Sequence, residues 1–93
     1  MTISRARSSI FVGLFSEKIS NAKKLATQIS EELKEAIELA KVDELESQLL
    51  EILSFLRNVE ADLNGTDQLL PDDKGKLVQD LNSVYLLVED LLK

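Results

Sequence analysis

Residues 45–63, LESQLLEILSFLRNVEADL, place Leu45, Leu49, Ile52, Leu56, Val59 and Leu63 at alternating steps of four and three. That spacing is the a/d pattern of a helix burying one seam, and it holds for nearly three heptads. Leu53 and Phe55 fall about 80° to either side of the seam and widen it, as expected for a helix that touches two neighbours. Asp43 followed by Glu46 resembles a capping box, and Asn64–Gly65 is an exit signal, so a helix is expected over about 43–63.

Working outward, Gly65 to Leu70 read as a polar connection with two trailing leucines. Pro71, Asp72 and Asp73 then open a third helix, with proline in the first turn and acids at the positive end of the dipole. Leu77, Leu81, Val84, Val88 and Leu91 repeat the four-three spacing to about residue 92. Gly75 weakens that first turn by about 1 kcal/mol relative to alanine, which allows a late start. Upstream, one unbroken helical pattern covers about 4–41, with a seam at Val12, Phe15, Ile19, Ala22, Ala26, Ile29, Leu33, Ala36 and Ala40. The alanines let another helix approach closely. Glu31–Lys34 and Glu38–Lys41, each three apart, add modest surface support.

The expected fold is therefore all-α, a three-helix antiparallel bundle in one domain spanning 1–93. The first helix would measure about 55–60 Å and the other two about 32 Å each. The sequence thus predicts an overhang at the N-terminal end, over residues 1 to about 18. A content of 44% apolar and 30% charged residues suits such a bundle, and Ala, Leu, Glu, Lys and Gln, the strong helix formers, dominate.

The net charge of −6 is unevenly spread. Residues 1–24 hold Arg5, Arg7, Lys18, Lys23 and Lys24 against Glu17 alone, and the remainder is strongly acidic. An acidic body with no dense basic run and no aromatic platform argues against nucleic-acid binding. Nothing approaches the run of about 20 apolar residues that a membrane span requires. The start, with Arg5 and Arg7 ahead of only six apolar residues and no small-residue cleavage site, reads as mature protein. A cytoplasmic chain is the expectation.

The absence of His and Cys removes most nucleophilic triads, zinc sites and imidazole acid–base schemes. Ser16 with Lys18, or Ser20 with Lys24, reads as solvated surface. So does the run Glu31, Glu32, Glu35 and Glu38, because the helix seams carry no inward carboxylate. Catalysis, a bound metal and a cofactor are all unexpected.

Apolar surface remains. Ile10, Phe11, Val12, Leu14 and Phe15 are contiguous and wind around every side of the helix, so something must cover them. They are read as a self-association or partner surface, with a homodimer expected. The competing readings are a bend at Gly13 that folds the patch back on the core, and an unstructured terminus.

The stretch VDELESQLLEILSFL (Val42 to Leu56), the tight helix junction before it, and Leu70, Pro71, Asp72 and Asp73 at the next helix start resemble flagellar export chaperones of the FliT type. The likeness spans roughly residues 35–93. The resemblance implies a small acidic bundle holding an apolar segment of a partner protein. It also implies a client groove on helices two and three, with Leu50, Tyr85 and Leu86 as contacts. The basic, aromatic front end departs from that pattern. The function expected is a non-enzymatic chaperone or adaptor binding an amphipathic segment. The alternative is a structural or assembly subunit, of a phage or secretion apparatus, built into a larger oligomer through its first helix.

Overall fold

Ser4 begins the first helix, its hydroxyl accepting a hydrogen bond from the Arg7 amide at 3.1 Å. The computed structural model describes residues 4–93, and among these three helices carry the fold: α1 (Arg5–Glu35), α2 (Leu39–Gly65) and α3 (Pro71–Leu91). Residues 36–38 link the first pair and residues 66–70 the second. Each helix packs on both others. Ser8 of α1 reaches Asp73 of α3, so these two helices start side by side and run parallel. Tyr85 reaches Glu60 and Lys74 reaches the Asn64 carbonyl, contacts that set α3 antiparallel to α2.

The three-helix bundle has the expected seams, except that Ala36 lies in the link after α1 and Ala40 is exposed on α2. All six a/d residues of the opening stretch are buried, together with Phe15, Ile19, Ala22, Ala26 and Ile29 of α1 and Leu77, Leu81, Val84 and Val88 of α3. Leu69, one of the trailing leucines of the connection, is buried as well. α3 starts at Pro71 without delay, and Gly75 faces open space.

The boundaries between α1 and α2 differ from the periodic reading. α1 stops at Glu35, where Ala36 turns extended (φ −71°, ψ 125°), and α2 begins at Leu39, so Asp43 and Glu46 lie inside a helix instead of capping one. Lys41 consequently pairs with Glu44 at 3.8 Å and not with Glu38, while Glu31–Lys34 forms at 3.9 Å. Neither glycine nor proline marks this break. The chain reverses there because the apolar seams of α1 and α2 can face each other only if it does. A helix continued to residue 41 would carry Ala36 and Ala40 away from α2.

This break also moves the overhang. With 31, 27 and 21 residues, α1 and α2 are closer in length than expected, and α1 and α3 begin level. The front end is therefore joined to α3 and not left projecting, although residues 1–3 of the expected overhang lie outside the described residues. The uncovered end is the opposite one: the α1–α2 hairpin runs on past the end of α3 by about 12 Å. There Ile37 is 96% exposed and Leu39 is exposed as well.

Glu38 is the N-cap of α2 and makes no side-chain capping bond. Serine at this position supplies a hydroxyl for an orphan amide of the first turn. Glu38→Ser is expected to raise the unfolding free energy by about 1 kcal/mol, read as a higher urea midpoint at unchanged slope. An unchanged midpoint would rule out this account of the junction.

Candidate interaction surface

The apolar front patch does not act as one unit. Phe15 points into the core at 7% exposure, and Phe11 and Val12 are half-buried against it. Only Ile10 and Leu14 remain exposed, Leu14 at 52%. The helix runs unbroken through Gly13, so no bend folds the patch back. α2 and α3 cover one side of it because α1 starts level with α3. The expectation that all five residues are available to a partner is corrected to two of them. Lys18 closes over the remaining edge of Phe15, its Nζ 5.9 Å from the ring centroid.

Ser8 explains how this end is fastened. It is fully buried; its hydroxyl donates to Asp73 Oδ2 at 2.6 Å and accepts from the Leu70 amide at 2.9 Å. One side chain thus ties α1 to the capping residue and first turn of α3. Arg7 adds an exposed bond from Nη1 to Gln68 Oε1 at 3.2 Å. Removing the Ser8 hydroxyl leaves a buried amide and a carboxylate without partners. Ser8→Ala is expected to cost about 2 kcal/mol in denaturant unfolding, and a loss below about 0.5 kcal/mol would show that water replaces the hydroxyl.

An apolar concavity lies between α1 and α2. Ala22, Leu25, Ile29, Ile52 and Phe55 line a groove of about 580 Å³, with Asn21, Gln48 and Glu51 at its rim. It exists because the methyl group of Ala22 stands where a larger residue would have closed the seam. Leu25 and Phe55 flank the opening and stay 52% and 40% exposed. Leu25 lies off the buried seam, so helical spacing alone gave no reason to single it out. Phe55 read only as a widening of the α2 face.

A second groove, of about 560 Å³, lies between α2 and α3 and brings together Leu53, Tyr85 and Leu86 among the charged residues Arg57, Glu60 and Glu89. Tyr85 is half-buried and donates to Glu60 Oε1 at 3.3 Å. Burial first, and the Glu60 carboxylate second, raise its phenol above the ordinary value. Leu50 is exposed on α2, outside the residues lining this groove. Of the expected client contacts, two are therefore brought together and one stands apart.

Among the described residues no group of His, Cys, Asp and Glu is placed to hold a metal ion, and no helix is long and apolar enough to cross a membrane. No protein-family model, curated protein or solved structure matches this chain.

Proposed function

We propose that this chain is a non-enzymatic helical interaction protein, a small cytoplasmic chaperone or adaptor whose α1–α2 groove receives an amphipathic helix from a partner protein. The observation that carries this reading is the groove over Ala22, with Leu25 and Phe55 left exposed at its opening and Leu14 further along the same helix. A fourth helix laid there covers these side chains as the three present helices cover one another, which is the helix-in-groove mode of recognition. The likeness of residues 42–56 and 70–73 to flagellar export chaperones supports the chaperone form. On that form the Leu53, Tyr85 and Leu86 groove offers a second, more polar contact.

The alternative, a subunit of a larger assembly, is favoured by the uncovered hairpin end, where Ile37 and Leu39 stand exposed among acidic residues. Contact of that tip with a different surface of the next copy would give open-ended growth and not a discrete complex.

The experiment is a pull-down from native lysate with the wild type, Leu25→Glu and Phe55→Glu as baits, each variant first shown to keep the wild-type melting curve. The expected result is a partner retained by the wild type and lost by both variants. Identical proteins on all three baits would exclude the groove as the binding surface.

A further inference from the structure

We infer that the helix docked beside the α1–α2 groove is α1 of a second copy of this chain, running antiparallel about a twofold axis near residues 19 and 20. This deepens the reading above and rests on it. The inference starts from the order of residues along one exposed stripe of α1: Arg7, Leu14, Lys18, Asn21, Leu25 and Glu32. At about 100° per residue these six lie within about 60° of one helix face, beside the groove. Read from either end, the stripe is self-complementary. An antiparallel copy in the register that sets Leu14 opposite Leu25 also sets Lys18 opposite Asn21 and Arg7 opposite Glu32, each pair occurring twice.

The same register brings Ile10 of the second copy level with Ile29 but on the other flank of the stripe, about 100° away around the helix. Leu25 lines the groove, so Leu14, exposed in the single chain, is brought to its opening. Leu14 and the opening over Ala22 thus cover each other. Charge selects the direction. Along the stripe the cations Arg7 and Lys18 precede the anion Glu32. Parallel docking in register sets Arg7 against Arg7 and Glu32 against Glu32, whereas the antiparallel register sets Arg7 against Glu32 twice. Within the chain, ion pairs among the described residues join neighbours three apart in sequence, and neither Arg7 nor Glu32 belongs to one.

The chain has no cysteine, so introduced thiols report the register without interference. Leu14→Cys and Leu25→Cys chains are mixed and oxidised under a glutathione buffer, beside sedimentation of the wild type over about 1–300 µM. The expected result is a wild-type dimer and a 14–25 heterodisulfide exceeding either homodisulfide by about tenfold, since residues 14 of the two copies lie about 16 Å apart in this register. Arg7→Glu and Glu32→Arg should each weaken the dimer several-fold, and the chain carrying both should recover it, because the swapped charges meet again. A 14–14 disulfide forming as readily as the 14–25 one overturns the antiparallel register. A monomer throughout the concentration range overturns the inference. If a foreign partner is then still lost from the Leu25→Glu bait, the groove reading stands without the second copy. If no partner depends on Leu25 either, both fall.

Discussion

Phe15→Ala is expected to lower the unfolding free energy by about 3–5 kcal/mol, while Leu14→Ala, one residue earlier, leaves it within about 0.5 kcal/mol. The two side chains belong to the same apolar run, and nothing in their chemistry separates them. Their positions on the helix do. Phe15 sits in the core with Ile19, whereas Leu14 is half in water and alanine there improves helix propensity. In a domain of this size each kcal/mol moves the melting temperature by about 4–8 °C, so the two curves should separate by well over 10 °C. The comparison is made at a protein concentration low enough that any dimer has dissociated. Equal curves would mean that the front of α1 is not packed on α2 and α3. The result also bears on binding studies: a polar residue at position 15 would remove a partner by unfolding the bundle, whereas changes at Leu14, Leu25 or Phe55 test the surface itself.

The seams of α2 and α3 were legible in the sequence because each is a single amphipathic stripe with its own start or stop signals. Pro71 and the Asp72–Asp73 pair, and Asn64–Gly65, act locally, so helix ends set by them needed no tertiary knowledge. The α1–α2 junction carries no such signal. Ala36, Ile37 and Glu38 are ordinary helix residues, and the break among them is a property of the hairpin and not of the tripeptide. From that single boundary the overhang was assigned to the wrong end of the molecule. The candidate surface was half legible for a related reason. Contiguity identified Ile10 to Phe15 as apolar on all sides, but which side is covered depends on α1 and α3 starting level, a relation fixed by Ser8 across 65 residues of sequence. The groove was the least visible, because a cavity is defined by what Ala22 lacks and by two helices at once.

Ala26→Leu is expected to cost about 3 kcal/mol, the upper part of the range for overpacking, and Ala22→Leu less than about 1 kcal/mol. Both alanines belong to the buried seam of α1, one turn apart, and both substitutions gain helix contacts of the same kind. Ala26 is fully enclosed in the core and does not line the groove. Leucine there must push a neighbouring helix outward, and because α1 packs on both α2 and α3, relief on one side strains the other. Ala22 borders the groove, so the added carbons can enter space already open beside Leu25 and Ile52. Urea unfolding of the two variants separates the cases, and equal losses would show that the groove collapses in solution. Ala22→Leu then has a second use. By filling the groove while leaving the bundle folded, it should abolish docking of Leu14 from a second copy, so that loss of association and retention of stability appear in one protein.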